Sequence, residues 1–553
     1  MHSFSLLTSN LLLFFACSSL LIHDSSNFAS ASPVPDILAS SGLKARKVPG
    51  GYSIPLQRTK RSSGRINDGR NSKSIGGNRK RGGIVAETGL GDHFDFQYTV
   101  PVEVGGTVTA VVLDTGSSDL WVTSDACTPT SCGGPPTTEQ YPMSTFNDSG
   151  ASVFIPYGSG SASGPVGFDT VTVAGISIQN QPFIAVNATD IAPQDTSGIL
   201  GLSFPTLSSV QQELTSKSTL TESDDSILGT DQYGPVLARI AMTGALDTPM
   251  FAIQLQRTQI DIGGQGVLTV GTLPEGIDNS SLTWVPVKFY TDSEIGTQWE
   301  IDIDGVFLDG QRLADSAIPA DGVSVTTTRA LIDSGNSILL GPADVVDNIL
   351  STVSTTYNPS IGPDAAFPCD VPHTLTFQIG GKMFPVDPRD FISEKSTDLS
   401  TCLASTMFKA SDPPSLGDLT SWSLGDPFFK SNLVAFYYGN LTHPSVDPPR
   451  IGFLSTVPQN ANELLTSAIH DAESAGEVAS TDDVAPTASA ATADRITVSP
   501  GFSSPTATGP GGDTSKSDEG DPGNENGAIA GAKMGIGFVS VYIAVGMGMV
   551  AGW

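Results

Sequence analysis

The chain has 553 residues, with 27 Lys and Arg against 57 Asp and Glu, and a formal net charge of −30. This length exceeds what one hydrophobic core usually organises and suits two large units with additional segments. The acidic excess argues against nucleic acid and anionic lipid as partners, because both are negatively charged. It is equally consistent with work in an acidic compartment and with simple solubility.

The N-terminal segment, residues 1–31, has the pattern of a secretory signal peptide. Residues 11–15 and 20–22 form a broken apolar run, and residues 29–31 supply the small side chains of a cleavage site. No Lys or Arg precedes the apolar run. Removal of this segment also removes Cys17 and leaves four cysteines in an oxidising compartment.

Residues 32–81 form a basic segment that ends in the tribasic sequence at residues 79–81. It holds 12 of the 27 basic residues and only Asp36 and Asp68 among the acids, whereas the chain beyond it has 15 basic and 54 acidic residues. We interpret it as a basic propeptide with dibasic processing sites, since the acidic body offers it an electrostatic partner. A solvated basic linker is the alternative.

Strand patterns begin shortly after the basic segment and lead to a first aspartate turn. Residues 97–104 alternate in polarity, and the apolar residues 108–113 run into Asp114, Thr115, Gly116 and Ser117. The glycine allows a tight turn, and the hydroxyls can donate hydrogen bonds to the carboxylate. One such turn is more often an ordinary strand end than a site.

A glycine-interrupted hairpin follows in the first half of the chain. The β-rich run from residue 153 reaches Tyr157, Gly158, Ser159 and Gly160 before the strand pattern resumes. Closely spaced glycines at this position suit a mobile hairpin tip.

A second aspartate turn repeats the design of the first, 219 residues later. An apolar run at residues 330–332 delivers Asp333, followed by Ser334, Gly335 and Asn336. Two such turns with matching apolar lead-ins predict a pair of carboxylates brought together by the fold.

These paired motifs resemble those of the pepsin-like aspartic peptidases, family A1. The resemblance implies an all-β, bilobal fold with the active-site cleft between two β lobes, which we place at residues 82–255 and 256–456. It implies an aspartic-type endopeptidase of the EC 3.4.23 class, with Asp114 and Asp333 as catalytic residues and neither cofactor nor metal. It also implies that the propeptide covers the cleft until it is cut.

The resemblance assigns roles to further residues of the two turns and the hairpin. Tyr157, with Gly158 and Ser159, matches the flap that closes over bound peptide, and Trp121 matches the residue that supports the flap tyrosine. The residues expected to support the aspartates are Thr115, Gly116, Ser117, Ser334, Gly335 and Asn336.

Three positions depart from the family pattern. Asn336 stands where the family usually has Ser or Thr, Ser197 where it usually has Asp, and Ser423 where it usually has an apolar residue. An amide can donate a hydrogen bond but is larger than a hydroxyl and cannot rotate a proton into place. We therefore still expect activity with Asn336 in place, and an altered rate or pH optimum is the alternative.

Two carboxylates in contact suit acid–base hydrolysis of a peptide bond. Like charges cannot both ionise cheaply at close range, so the pair holds one proton over an acidic range of pH, an effect for which pepsin is the standard example. Titration belongs to the pair, and the sequence does not assign the proton to either residue.

Cysteines and glycosylation motifs indicate the covalent modifications of a secreted chain. The four remaining cysteines allow three pairings, of which local pairing within each half is the simplest. Family resemblance points to the same bridges, Cys127 with Cys132 and Cys369 with Cys402. Asn-x-Ser/Thr motifs predict N-glycosylation at Asn147, Asn187, Asn279 and Asn440.

The C-terminal part of the chain has the composition of a stalk followed by an anchor signal. Residues 457–528 are rich in Ser, Thr, Pro, Gly, Ala and Asp, and residues 534–553 are uncharged and moderately apolar. We predict a stalk over residues 457–528 and a glycolipid (GPI) anchor signal over residues 529–553, with attachment at Asn526. A single membrane span is the rival interpretation.

The leading hypothesis is an extracellular, GPI-anchored aspartic endopeptidase at the plasma membrane or cell wall, similar to the anchored fungal enzymes of the yapsin type. It would be made as a zymogen, act at acidic pH as a monomer, and have as partners peptide substrates, its own propeptide, a processing protease and the membrane. Two alternatives remain: a catalytically impaired peptidase fold that binds ligands, and a structural cell-wall glycoprotein.

Overall fold

The computed structural model describes a folded body built mainly of strands. The described residues are 46–48, 51–53, 84–92, 97–133, 139–158, 160–191, 196–218, 225–258, 260–261, 263, 266–288, 298–317, 328–362, 364–394, 400–404, 408–410, 422–476 and 496–501. The predicted signal peptide, most of the predicted propeptide, Ser159, Asn526 and the predicted anchor signal lie outside these residues.

Strands dominate the described chain. In the first half they are β1 (Arg46–Val48), β2 (Gly51–Ser53), β3 (Ala86–Gly89), β4 (Gly91–Asp92), β5 (Tyr98–Val104), β6 (Thr107–Asp114), β7 (Leu120–Thr123), β8 (Asn147–Tyr157), β9 (Gly160–Val173), β10 (Ile176–Val186), β11 (Ala188–Thr189) and β12 (Gly198–Gly201). In the second half they are β13 (Met250–Gln254), β14 (Val267–Val270), β15 (Thr283–Pro286), β16 (Glu300–Asp302), β17 (Gly305–Leu308), β18 (Gln311–Arg312), β19 (Arg329–Ile332), β20 (Leu339–Gly341), β21 (Ala366–Pro368), β22 (Leu375–Ile379), β23 (Lys382–Pro385), β24 (Ser393–Glu394), β25 (Thr401–Leu403), β26 (Phe408–Ala410), β27 (Trp422–Leu424), β28 (Asn432–Tyr437), β29 (Arg450–Ser455) and β30 (Ile496–Val498).

The helices are short, with 4 to 11 residues, except for a 15-residue helix near the C-terminal end of the described chain. They are α1 (Ser209–Ser216), α2 (Asp225–Tyr233), α3 (Val236–Met242), α4 (Ala343–Val353), α5 (Pro388–Phe391), α6 (Asp426–Ser431) and α7 (Ala461–Ala475), with 3-10 turns at Pro205–Leu207 and Asn279–Ser281. Within the described ranges, none of these helices has the length and apolar character needed to cross a membrane.

The first half of the described chain builds one large sheet around the strand that carries Asp114. Its strand order is β11-β9-β10-β7-β12-β6-β5-β4, with β8 paired to β9 and β30 to β10. Strand β12 lies parallel to β6, and Gly201 is opposite Asp114. Residues 198–201 therefore pack beside the first aspartate strand.

The second half repeats this local arrangement in a smaller sheet. Its order is β16-β19-β27-β20-β26, and β27 runs parallel to β19, the strand before Asp333. A further sheet, ordered β15-β29-β28-β13-β14-β3, takes strands from both predicted lobes. The two aspartate strands thus lie in separate sheets, each with a parallel partner strand that ends at Gly201 or just before Gly425.

The strands bury apolar side chains because their residues alternate or are apolar throughout. Strand β12 is buried at all of its positions, and so is the central part of the sheet around β7. Fully buried tryptophans at positions 121, 299 and 422 anchor the packing of the strands around both aspartate turns. These close-packed strands hold the side chains of the adjoining turns in place, because a close-packed protein interior has low compressibility.

The stalk predicted from residue 457 begins later than its composition indicates. Helix α7 buries Ala461, Leu465, Ile469 and Ala472, a spacing that places them on one helical face. The helix ends at Gly476, which has a positive φ of 77°. The Ala- and Ser-rich composition concealed this amphipathic face, so the body extends past residue 456.

A short strand beyond this helix returns to the first large sheet. Ile496, Thr497 and Val498 pair in parallel with Ile176, Ser177 and Ile178 of β10. Val498 is only 5% exposed and joins the main core. Residues 496–498, which we assigned to the stalk, are therefore part of the folded body.

Candidate active site

Strand β6 delivers the first aspartate to the end of a buried apolar run. Val111 and Leu113 are fully buried, and Asp114 is 6% exposed. The Asp114 carboxylate accepts hydrogen bonds from the Gly116 N–H (2.8 Å) and from the Ser117 hydroxyl. The predicted support by Gly116 and Ser117 is thus present in the structure.

Strand β19 delivers the second aspartate in the same way, but its side-chain support differs. The Asp333 carboxyl accepts a hydrogen bond from the Gly335 N–H at 2.9 Å. The Asn336 amide instead donates to the Ser423 hydroxyl at 2.9 Å, and its oxygen accepts from the Ile338 N–H at 3.2 Å. The expectation that Asn336 supports Asp333 directly is therefore wrong, because the buried Ser423 hydroxyl takes the amide.

Thr115 and Ser334 lock the two turns together. The Thr115 hydroxyl donates to the Ile332 carbonyl (2.7 Å) and accepts from the Ser334 N–H (2.9 Å). In return, the Ser334 hydroxyl donates to the Leu113 carbonyl (2.7 Å) and accepts from the Thr115 N–H (3.2 Å). All four groups are buried, so these reciprocal bonds fix the two aspartate strands against each other.

The two glycines of the turns let the carboxyls approach. A Cβ at Gly116 would lie 2.6 Å from Asp333 Oδ1, and a Cβ at Gly335 would lie closer still to Asp114 Oδ1. Real Cβ atoms do not come so near to other atoms. Each glycine thus leaves room for the aspartate of the opposite turn.

Both aspartates have raised pKa values. Burial raises the pKa of Asp114, although hydrogen bonds from Ser117 and Gly116 partly oppose it. Burial also raises the pKa of Asp333, and the charge of Asp114 raises it further. The carboxyls hydrogen-bond to each other, which requires one of them to carry a proton. The pair therefore keeps a shared proton into a higher pH range than a single exposed carboxyl would.

The flap tyrosine lies over the first aspartate turn. Tyr157 ends β8, pairs with Gly160 across the hairpin, and its hydroxyl accepts from Trp121 Nε1 at 3.0 Å. Burial and the nearby Asp114 charge raise the pKa of Tyr157, and the Ser117 hydroxyl also interacts with it. The predicted Trp121–Tyr157 contact is present, and Gly158 is exposed at the tip.

The predicted disulfides agree with the structure. Cys127 bonds to Cys132 and Cys369 bonds to Cys402, with Cα separations of 5.8 and 4.9 Å. Each bridge lies within a single half of the chain, the first in the N-terminal half and the second in the C-terminal half. Neither bridge connects the two aspartate turns.

The predicted glycosylation asparagines lie at the surface to different degrees. Asn147, Asn187 and Asn279 are exposed. Asn440 is half-buried, and its side-chain oxygen accepts hydrogen bonds from the N–H and hydroxyl of Thr442.

One buried carboxyl beside the first turn was not singled out from the sequence. Asp119 is 5% exposed and accepts hydrogen bonds from the Ser208 hydroxyl and from the N–H groups of Ser209 and Val210, at the start of α1. Burial raises the pKa of Asp119 to about 6 despite these donors. Its position five residues after Asp114 is the sequence signal that could have revealed it.

The described residues hold no group of three or more His, Cys, Asp or Glu side chains that could bind a metal ion. What the site does offer is a hydrogen-bonded carboxyl pair, locked by reciprocal backbone contacts and covered by a tyrosine hairpin. Such a pair can take a proton from one group and give a proton to another at the same time.

Comparison with known proteins agrees with this geometry. Residues 97–443 match the family model described as eukaryotic aspartyl protease. The chain belongs to this family. The prediction of a pepsin-like all-β fold and of an aspartic-type endopeptidase, EC 3.4.23 class, is thereby confirmed.

Three known proteins are similar to this chain over most of their own length. Pepsin A of Bos taurus is 29% identical over 374 residues, which cover 66% of this chain and 87% of that protein. Gastricsin of Mus musculus is 29% identical over 340 residues, or 60% and 75% of the two chains. A pregnancy-associated glycoprotein of Equus caballus is 30% identical over 361 residues, or 64% and 81%.

Proposed function

We propose that Asp114 and Asp333 are the catalytic pair of this aspartyl protease and activate a water molecule at acidic pH. The observation that carries the proposal is the reciprocal lock between Thr115 and Ser334, which brings the two carboxyls into hydrogen-bond contact. Support also comes from the raised pKa values of both groups, since hydrolysis needs one of them ionised and the other protonated.

The reaction follows from one shared proton. The water oxygen attacks the peptide carbonyl carbon while the ionised carboxylate takes a proton from that water, and the protonated carboxyl gives its proton to the carbonyl oxygen. The resulting diol collapses when the protonated carboxyl passes its proton to the peptide nitrogen and the other, ionised carboxylate takes a proton from a diol hydroxyl. The C–N bond then breaks, which releases a new carboxyl and a new amine and restores the shared proton.

The direct test is cleavage of a denatured protein by the processed enzyme at acidic pH. Asp114→Asn and Asp333→Asn should each abolish cleavage. Asp148→Asn, which removes the same charge from an exposed residue, should leave it unchanged. Cleavage by Asp114→Asn at the wild-type rate would contradict the proposal.

A second function, ligand binding without turnover, is favoured by one observation. The Asn336 amide bonds to Ser423 and not to Asp333, so the second aspartate lacks the side-chain support of the first. A statine-type transition-state mimic distinguishes the two functions. Tight binding together with undetectable hydrolysis would favour the binding protein.

We further propose that the enzyme is made as a zymogen. The basic segment at residues 32–81 and its dibasic sites support this, because the rest of the chain is strongly acidic. With cleavage assayed at acidic pH, the full chain should be inactive while residues 32–81 remain attached and should gain activity after cleavage next to residue 81. Equal activity before and after cleavage would argue for a simple linker.

The cell surface is the location we propose, with a GPI anchor of the type found in yapsin-like fungal enzymes. The signal-like residues 1–31, the stalk composition and the uncharged residues 534–553 support it. A phospholipase specific for phosphatidylinositol should release the protein from cells, and Asn526→Gln should reduce the anchored fraction. Resistance to the phospholipase would favour a membrane span.

A further inference from the structure

The two aspartates differ in what their neighbouring side chains donate. The Ser117 hydroxyl donates to Asp114, three positions before it in the chain. Asn336 holds the same position relative to Asp333, yet its amide donates to Ser423 at 2.9 Å and its oxygen accepts from Ile338. Among the described contacts of Asp333, the donors to its carboxyl are backbone N–H groups, and the carboxyl also shares a hydrogen bond with Asp114.

The difference extends to the partner strand of each turn. Ile199 on β12 lies opposite Val112, and Ser423 on β27 lies opposite Leu331. Each stands two residues before a glycine, Gly201 or Gly425. Ile199 and Ser423 are therefore equivalent positions in the two halves. Where the first half has an apolar side chain, the second has a hydroxyl that is 1% exposed.

Burial makes the Ser423 hydroxyl dependent on a partner, since a buried hydroxyl without a hydrogen bond is costly. The Asn336 amide meets that need. The Asn336 backbone is also fixed, because its carbonyl accepts from the Asp426 N–H at 2.8 Å and a Cβ at Gly425 would collide with it. The amide therefore has a defined orientation, directed to Ser423.

We propose that Asn336 and Ser423 are positioning residues for the second aspartate. Their hydrogen bond holds the amide away from Asp333, so that this carboxyl retains the shared proton to a higher pH than a hydroxyl-supported carboxyl would. The physical reason is that a hydrogen bond donated to a carboxylate stabilises its ionised form, and withholding that donor favours the protonated form. The inference rests on the proposed function of Asp114 and Asp333.

Other titratable groups near Asp333 also influence its pKa. Asp114 faces it directly from the opposite turn and raises its pKa. The neighbouring elements that pack around the second turn contribute further groups: Glu300 on β16, Arg329 on β19, Asp426 at the start of α6, and Tyr157 and Asp119 on the side of Asp114. The proposed variants leave all of these unchanged.

The experiment transfers the arrangement of the first half to the second. Asn336→Thr combined with Ser423→Ile supplies a hydroxyl to Asp333 and an apolar residue in place of Ser423. The upper pH limb of kcat/KM, measured with a quenched fluorescent peptide, should move about one unit toward acid. Asn336→Ser alone should move it in the same direction, and it serves as the measured variant if the double variant fails to fold.

Two controls separate positioning from general stability. Ser423→Thr keeps a buried hydroxyl and should keep the wild-type pH limb. Ser354→Ala removes another buried hydroxyl of the second half, which donates to the Ala366 carbonyl at 2.6 Å. It should lower the melting temperature without moving the pH limb.

The outcomes distinguish this inference from the proposed function. If wild-type enzyme cleaves peptides and Asp114→Asn does not, the catalytic pair stands. An unmoved upper limb in an Asn336 variant that still binds a statine-type mimic would then overturn the positioning role alone. A wild-type enzyme without acid-dependent cleavage would overturn the proposed function itself.

Discussion

The two aspartate turns have the same backbone and different supporting chemistry. In the first half, Ser117 donates to Asp114 and the neighbouring strand presents Ile199. In the second half, the Asn336 amide donates a hydrogen bond to Ser423, and the Asp333 carboxyl accepts one from the backbone N–H of Gly335. The shared geometry comes from the glycines and from the Thr115–Ser334 lock. Side-chain support can therefore change while the carboxyl pair remains in place.

The buried charges behind the two turns also respond to pH in opposite directions. Burial raises the pKa of Asp119, beside the first turn, to about 6. Burial also disfavours the ionised form of Asp390, in the second half, but the charges of Arg257 and Lys430 lower its pKa below the ordinary value. The contribution of Asp119 to stability is therefore greatest at acidic pH, whereas the ion pairs of Asp390 persist until the pH falls below the ordinary range of an aspartate.

The largest expected effect comes from breaking the buried ion pairs of the second half. Arg257 forms two hydrogen bonds to Asp390, at 2.7 and 2.6 Å, and Lys430 lies 3.5 Å away. Asp390→Ala removes the buried carboxylate that faces Arg257 and Lys430, and it should lower the free energy of unfolding by about 3–5 kcal/mol. Urea unfolding of wild type and variant at mildly acidic pH measures this difference in the free energy of unfolding. Asp315→Ala, from an exposed ion pair with Arg312, should have little effect.

Removing an apolar contact of α7 should have the next largest effect. Leu465 is fully buried and α7 contacts α5, so Leu465→Ala should cost about 2–5 kcal/mol in the free energy of unfolding. Leu464→Ala, at a half-buried position of the same helix, should cost less. Equal stability of wild type and Leu465→Ala would mean that the second half does not depend on this helix.

The symmetry of the turns can be tested at their glycines. Gly116→Ala and Gly335→Ala each place a Cβ against the opposite carboxyl and should each reduce kcat/KM by about 100-fold or more. Gly362→Ala, where a Cβ meets open space, should have no effect. A large loss at one turn and none at the other would show that the two halves do not share the carboxyl geometry equally.

The smallest expected effect is a change in the pH dependence of stability. Because the folded-state pKa of Asp119 exceeds its ordinary value of 3.8, its stabilisation is complete below that value and is lost as pH rises through about 6. Asp119→Asn removes this titration. The melting temperature of the variant relative to wild type should therefore rise between acidic and neutral pH. Parallel melting curves across this range would contradict the assignment.

Much of the site was predictable because its residues act locally. The apolar runs before Asp114 and Asp333, the glycines after them and the hydroxyls of Thr115, Ser117 and Ser334 are readable as strand-and-turn motifs. The disulfides followed from spacing and family resemblance. The sequence analysis did not predict helix α7, because the chain from residue 457 onward is rich in Ala, Ser and Thr, although the spacing of Leu465 and Ile469 is helical.

The sequence by itself determined that two aspartate turns exist, that strands lead into them and that Asn336 and Ser423 depart from the family pattern. Only the tertiary structure decided that these two departures contact each other, 87 residues apart, and that the amide faces away from Asp333. The physical reason is that each side chain's partner depends on strand register and burial. Both are set by the packed sheet and not by the residues adjacent in the chain.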